Sequence, residues 1–214
     1  MTSAQPESEQ IANRRPLTSR STGWARALTS ALLRLGASPN AISVVSVLFA
    51  AAGAALLIES PDPVGLIATA VCVQLRLLCN LLDGMVAIEG QRQSPTGGLF
   101  NEVPDRVADS LFIVALGYAI GMPWLGWFGA LAAAVTAYIR VLGGSLGLPQ
   151  DFRGPMAKQQ RMAVLTVACV LGAAEWWIWQ SQWLLILAAW NIALGSVITC
   201  ITRLVAIARQ LRAR

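Results

Sequence analysis

The chain has 214 residues, of which 56% are hydrophobic and only 13% are charged, and its mean hydropathy is +0.59. A soluble domain carries about 25% charged residues, so the composition excludes an ordinary soluble protein and indicates an integral membrane protein. The sequence contains no histidine, which excludes imidazole catalysis, and its net charge of +5 is distributed as a membrane-topology signal and not as a nucleic-acid surface.

The N-terminal part is polar and then amphipathic. Residues 1–22 contain several arginines but no apolar core of a cleavable signal, so we expect a disordered cytoplasmic tail. Residues 23–37 follow, with Leu28 and Leu32 on one helical face and Arg26 on another. This pattern is typical of a helix that lies on the surface of a membrane.

Six later segments are apolar and close to the length of about 20 residues that the hydrocarbon core requires. They cover roughly residues 40–58, 64–88, 98–121, 124–147, 161–179 and 183–207. Lys and Arg are concentrated at both termini and in alternate connections, which predicts cytoplasmic termini. The expected fold is therefore all-α, with six transmembrane helices in one domain over residues 38–214, preceded by the interfacial helix. Ser38 and Pro39 are expected to cap and begin the first span.

Acidic and amide residues are concentrated where the second and third spans meet. Asn80 and Asp83 are three residues apart, and Asn101 and Asp105 are four apart, so each pair shares one helix face. Two antiparallel helices joined by a short loop would bring the pairs together. Ionisable groups beside a span are costly and usually functional, and oxygen-only ligands favour hard cations such as Mg²⁺, Mn²⁺ or Ca²⁺.

This run resembles the signature of the CDP-alcohol phosphotransferase family, D-x2-D-G-x2-A-R-x8-G-x3-D-x3-D. On that spacing the matching residues are Asp83, Gly84, Ala87, Gly97 and Asp105. Asn80 and Asn101 replace aspartates, and Ile88 replaces the arginine. Residues 38–43, S-P-N-A-I-S, resemble a second family element, and the resemblance covers about residues 36–162.

The resemblance implies a reaction of phospholipid synthesis. A CDP-linked donor, often CDP-diacylglycerol, is attacked by an acceptor hydroxyl, and a phosphatidyl or related phospho-alcohol group is transferred with release of CMP. It also implies that Asn80, Asp83, Asn101 and Asp105 bind a divalent cation, Mg²⁺ or Mn²⁺, with Ca²⁺ as a further option, and that Asp105 is the base for the acceptor. The resemblance further implies a homodimer in a bacterial inner membrane, with its active site on the cytoplasmic side.

The replaced residues leave two questions about neighbouring side chains. Glu102 and Asp109 are further candidate metal ligands, because they could restore the negative charge that the two asparagines remove; Asp109 lies one helical turn beyond Asp105. Arg92 and Arg106 are the candidates to contact the donor in place of the missing arginine. In the family pattern, Gly84, Ala87 and Gly97 give the donor close access to the backbone. Pro104 could kink the third helix.

Basic residues form a second group of candidate site residues. In the family such residues help to form an acceptor pocket, and here they are Arg140, Arg153, Lys158 and Arg161. Each could instead be a loop charge that sets topology. Arg76 lies one turn before Asn80, too deep for a topology signal, and is expected to face the bundle interior. Arg203 is expected to extend to the membrane interface.

Two alternative functions stay open. A catalytically impaired family member could bind nucleotide or lipid without turnover. A small transporter or membrane scaffold would need a polar path across the bilayer, whereas the polar residues here cluster on one side. The identity of the acceptor also stays open. The candidates are inositol phosphate, glycerol phosphate, serine, another lipid and a non-lipid alcohol.

Overall fold

The regular structure of the chain is helical. The computed structural model describes residues 22–92 and 94–214, and in those ranges it contains seven helices and no strand. They are α1 Gly23–Arg34, α2 Pro39–Glu59, α3 Pro63–Glu89, α4 Gly97–Ala119, α5 Pro123–Ser145, α6 Lys158–Trp179 and α7 Trp183–Arg212. The all-α prediction is confirmed. The tail expected before α1 lies outside the described residues, except for Thr22.

The membrane-spanning character rests on five of these helices. α2, α3, α5, α6 and α7 are long and apolar enough to cross a membrane, so the chain is an integral membrane protein with several spans. The third predicted span corresponds to α4, which has 23 residues. Its first 13 residues carry Glu102, Asp105, Arg106 and Asp109, a composition unlike that of the other five. A sixth crossing by α4 therefore stays a prediction.

The first two long helices begin at the signals present in the sequence. Ser38 caps α2, its Oγ accepting from the backbone N–H of Ala41 at 3.2 Å, and Pro39 is the first helical residue, as predicted. Asp62 caps α3, its Oδ1 accepting from two backbone N–H groups at 2.9 Å. Each cap satisfies donors that have no partner within the helix.

Helix α1 packs on α3 through a narrow strip. Ala25 and Thr29 are fully buried, and the hydroxyl of Thr29 lies 3.8 Å from the sulfur of Met85. Trp24 and Leu28 are exposed, so an apolar surface of α1 is left uncovered by the rest of the chain. Such a surface is suited to contact with lipid, which is what the amphipathic pattern predicts.

The long helices form one bundle around an apolar core. α2 packs against both α3 and α4, α5 packs against α4 and α7, and α6 packs against α3 and α7. Phe112 lies at the centre and is fully buried. Gly53 makes room for it, because a Cβ at that position would lie 2.7 Å from the Phe112 ring. Gly117 and Gly126 similarly allow α4 and α5 to cross closely, as small residues do between membrane helices.

Glu175 stabilises the end of the bundle opposite the motif residues. Its carboxylate accepts from the Ser181 hydroxyl at 2.6 Å and from the backbone N–H groups of Trp183 and Leu184 at 2.8 and 3.0 Å. A residue near the end of α6 thus caps the start of α7. The negative charge is also favourable beside the positive end of the α7 dipole.

The expectation that Arg203 extends to the membrane interface is wrong. Its side chain is buried, and it donates to the backbone carbonyls of Thr136 at 2.7 Å and Arg153 at 2.9 Å. These carbonyls lie in α5 and in the connection that follows it. Arg203 therefore links α7 to the connection between α5 and α6. Its side chain stays in the interior and does not extend to the membrane interface, because two carbonyl acceptors are within reach.

Candidate active site

Arg76 connects the two motif helices. It is fully buried, as predicted, and one of its nitrogens, Nη2, lies 2.7 Å from Asp109 Oδ1 and 3.3 Å from Asp105 Oδ1. α3 supplies the arginine and α4 supplies both carboxylates. Because a buried charge is stable only when it is paired and hydrogen-bonded, this interaction fixes the register of α3 against α4.

Asp105 is the centre of the polar cluster. The amide nitrogen of Asn80 donates to its Oδ1 at 2.6 Å, and the ammonium group of Lys158, at the start of α6, contacts its Oδ2. A nitrogen of Arg106 lies 3.7 Å from the same Oδ2. The Asp105 side chain is 10% exposed, so a small opening to the outside remains. Three helices therefore converge on one partly accessible carboxylate.

Asp83 lies beside this centre. It is buried, its Oδ2 accepts from the Ser43 hydroxyl of α2 at 2.7 Å, and its charge interacts with those of Asp105 and Lys158. Sequence reasoning gave Ser43 no role in the site. The signal was available, since Ser43 ends the S-P-N-A-I-S element that resembles a family motif. Ser43 orients the Asp83 carboxylate and links α2 to the site.

Asp109 is held between two arginines. Arg161 donates to its Oδ2 at 2.9 Å, opposite the Arg76 contact, and also donates to the Met156 carbonyl at 2.8 Å. Both Asp109 and Arg161 are almost fully buried. Both oxygens of Asp109 are bound by guanidinium groups. This carboxylate therefore joins α3, α4 and α6, at a position more deeply buried than Asp105.

Glu102 and Arg140 form a separate ion pair toward the surface. One nitrogen of Arg140 lies 2.6 Å from each Glu102 oxygen, and its other terminal nitrogen contacts Gln150. The guanidinium carbon is 5.4 Å from the centre of the Phe152 ring, a cation–π arrangement. Arg106 lies 3.3 Å from the same glutamate. Glu102 therefore connects α4 to α5.

The other predicted residues lie around this centre or away from it. Asn101 is exposed one turn before Asp105, and Gly84 and Ala87 are half-buried on α3. Gly97 begins α4, and a Cβ there would meet only Ser94 Oγ, at 3.7 Å. Packing therefore does not require glycine at position 97.

Arg92 and Arg153 lie outside the Asp105 cluster. Arg92 donates to the carbonyl of Ala37 at 2.8 Å and so holds the connection before α2. Arg153 pairs with Asp151 at 2.9 Å in the connection between α5 and α6. Burial alone would raise the pKa of Asp151, but hydrogen bonds from the side chain and backbone of Arg153 outweigh it and hold the pKa below its ordinary value.

The oxygen ligands of this cluster are suited to a hard divalent cation, but they carry less negative charge than four carboxylates would. Carboxylate and amide oxygens are the ligand types that Mg²⁺ and Mn²⁺ select, and Asp83 and Asp105 already lie together. In the described ranges no three acidic or cysteine side chains form a metal-binding group, and amides stand at positions 80 and 101. The contact of Lys158 with Asp105 shows that this carboxylate attracts a cation. The residues present therefore fit the ion, with Lys158 as its competitor.

Comparisons of the sequence with curated proteins give relatives of known activity. The chain is 34% identical over 188 residues to archaetidylinositol phosphate synthase of Aeropyrum pernix, covering 86% of this chain and 90% of that protein. It is 30% identical over 187 residues to phosphatidylinositol phosphate synthase of Streptomyces avermitilis, covering 84% and 75%. No family model matches the sequence.

Comparison with solved structures supports the same fold. The Mycobacterium tuberculosis phosphatidylinositol phosphate synthase with CDP-DAG bound has a TM-score of 0.73 and 24% identity, over 86% of this chain and 92% of that one. The same enzyme in complex with manganese and citrate also gives a TM-score of 0.73, over 86% and 88%. With two curated relatives at 30% identity or more over most of both chains, the chain belongs to the CDP-alcohol phosphotransferase family.

Proposed function

We propose that the protein transfers a phosphatidyl or related phospho-alcohol group from a CDP-linked donor to an acceptor hydroxyl, releasing CMP, as a step of phospholipid synthesis. One observation carries the proposal: Asp83 and Asp105, which match the family signature, lie together in a buried cluster with a small opening. CDP-DAG is the donor that we propose, because it is bound in a solved structure with this fold.

The chemistry requires a proton acceptor beside the acceptor hydroxyl. The hydroxyl oxygen attacks the phosphorus that carries the transferred alcohol, a new P–O bond forms, and the P–O bond to CMP breaks, so that CMP leaves with the electron pair. We assign the hydroxyl proton to Asp105. Asn80 holds the Asp105 carboxylate at 2.6 Å, which orients it for this role.

The metal would be held by Asn80, Asp83, Asn101 and Asp105. When bound, a divalent cation neutralises negative charge on the donor's pyrophosphate and at the phosphorus under attack. Glu102 pairs with Arg140. Asp109 pairs with Arg76 and Arg161. We therefore assign these two carboxylates to positioning the arginines and not to binding the metal. Ser43, which donates to Asp83 at 2.7 Å, would hold that carboxylate in place as a ligand.

We also propose that the site faces the cytoplasm. The site lies among the ends of α3 and α5 and the starts of α4 and α6. The connections at this end contain Arg92 and Arg153, whereas the connections at the other end contain no Lys or Arg. The positive-inside rule therefore places the Asp105 opening on the cytoplasmic side.

The alternative of a catalytically impaired member has one observation in its favour. Lys158 contacts the carboxylate that the reaction needs as base, and two amides replace two metal-binding carboxylates. Incubating the purified protein with CDP-DAG, Mn²⁺ and a pool of alcohols separates the two functions. Transfer predicts CMP release that stops when the metal is chelated, whereas the impaired member would bind CDP-DAG without releasing CMP.

The amide at position 80 gives a prediction about metal affinity. Asn80→Asp adds a charged oxygen ligand, so Mn²⁺ binding, measured by electron paramagnetic resonance of the free ion, should become at least about tenfold tighter. Gln74→Glu, earlier on the same helix and bonded to Thr166, is the control and should leave the affinity unchanged. Equal tightening by both variants would show only a general effect of added charge.

Arg106 provides a second prediction, on donor binding. Its Nε is buried and has no hydrogen-bond partner among the residues described, so it can donate to the donor's pyrophosphate in place of the arginine that Ile88 replaces. A charge-assisted contact is worth about 1.5–3 kcal/mol, so Arg106→Ala should weaken CDP-DAG binding by about ten- to a hundredfold. Arg92→Ala, which removes the contact with Ala37, is the matched control. Strong tightening by Ile88→Arg, with no effect of Arg106→Ala, would contradict the assignment.

A further inference from the structure

The cations expected to bind the acceptor are already paired with carboxylates of the chain. Arg140 contacts both oxygens of Glu102 at 2.6 Å, Arg161 contacts Asp109 at 2.9 Å, and Arg153 contacts Asp151 at 2.9 Å. Lys158, the remaining one of the four, contacts Asp105. In this structure each of these four cations is therefore paired with a carboxylate of the chain.

The pairing of Arg140 with Glu102 involves the most exposed carboxylate of the four pairs. The Glu102 side chain is 41% exposed, and both of its oxygens lie at one terminal nitrogen of the Arg140 guanidinium group, a position that a phosphate oxygen could otherwise take. A phosphorylated acceptor would have to displace this carboxylate. The displaced Glu102 would keep its negative charge beside the incoming phosphate, so like charges would be brought together.

The deeper pairs cannot be released for an acceptor. Asp109 is held by Arg161 and Arg76, and these three side chains are at most 4% exposed. Removing one partner from a buried ion pair leaves an uncompensated charge, which is strongly unfavourable. Arg161 therefore keeps its role in the bundle, and its charge is not available to a ligand.

We propose that the acceptor is an uncharged alcohol and not a phosphorylated one. The inference rests on the proposed transfer reaction and departs from the relatives, which are named for making phosphatidylinositol phosphate and archaetidylinositol phosphate. Glu102 and Gln150, both at Arg140, offer carboxylate and amide groups that bind hydroxyls. The product would then carry no phosphate beyond the one transferred from the donor.

Matched pairs of acceptors test this directly. CMP release from CDP-DAG is measured with glycerol against glycerol 3-phosphate and with inositol against inositol 1-phosphate. We expect the uncharged member of at least one pair to react at least about tenfold faster than its phosphorylated partner. Equal rates, or faster reaction of the phosphorylated members, would overturn the inference while leaving the transfer reaction intact.

If no acceptor leads to CMP release, that result counts against the proposed function. A binding measurement still decides the inference about the acceptor in that case. Titration calorimetry with inositol 1-phosphate should give weak binding to the wild type and at least about tenfold tighter binding to Glu102→Gln, which frees Arg140. Glu59→Gln, an exposed residue at the far end of α2, is the matched control. If the wild type binds inositol 1-phosphate as tightly as Glu102→Gln, the carboxylate does not exclude phosphate and the inference fails.

Discussion

Asp105→Asn is expected to reduce CMP release by at least about a hundredfold, because it removes the proposed base and one of two charged metal ligands. The amide keeps the size of the side chain and can still accept from Asn80. Rates are compared at saturating CDP-DAG and Mn²⁺, with thermal unfolding in detergent as the check that the variant is folded. Asp83→Asn should cause a loss of similar size, since it removes the other carboxylate.

Ser43→Ala is the graded control for this experiment. It removes the hydroxyl that donates to Asp83 at 2.7 Å but leaves both carboxylates in place. We expect an intermediate loss of activity, accompanied by a higher KM for Mn²⁺. A folded Asp105→Asn variant with wild-type activity would remove Asp105 from the reaction.

Asp109→Ala is expected to produce the largest loss of stability. Arg76 and Arg161 are both buried against this carboxylate at 2.7 and 2.9 Å. Its removal leaves Arg161 without a carboxylate partner among the described residues, and Arg76 with only the longer contact to Asp105, at 3.3 Å. Breaking one buried pair costs about 3–5 kcal/mol, so the variant should unfold at a much lower temperature in detergent, or fail to accumulate. Glu102→Ala removes a more exposed carboxylate and should lower the unfolding temperature far less.

A double variant identifies the cause of that loss. Asp109→Leu combined with Arg161→Met replaces one buried pair with apolar groups of similar size, and such replacements are often neutral or stabilising. The double variant should therefore unfold at a higher temperature than Asp109→Leu alone. If it is less stable than both single variants, the two residues do not act as a pair, and the explanation by uncompensated charge is wrong.

The local features of the fold were accessible from the sequence because each depends on neighbouring residues. Ser38 and Pro39 fix the start of α2 through a single cap, and the length of the apolar segments predicts the helices that can cross a membrane. The inward position of Arg76 followed from its depth in an apolar helix. These conclusions need only helical geometry and the cost of placing charge in hydrocarbon.

The pairing of charges within the site could not be read from the sequence. Glu102 and Arg140 are 38 residues apart, and Arg161 and Asp109 are 52 apart; only the arrangement of the helices in the bundle decides which carboxylate meets which cation. The misplacement of Arg203 has the same origin, because its carbonyl acceptors belong to α5 and a connection. Ser43 was overlooked because its partner, Asp83, lies in another helix.

The most direct measurement quantifies CMP and the lipid product in the same reaction. Purified protein is incubated with CDP-DAG, Mn²⁺ and an excess of alcohol, and both products are measured by mass spectrometry. Transfer predicts equal amounts of CMP and acceptor-linked phospholipid, both dependent on Asp105 and lost when the metal is chelated. CDP-DAG that binds but yields neither product, or CMP that forms without an acceptor-linked lipid, would contradict the assignment of this cluster as a CDP-alcohol phosphotransferase site.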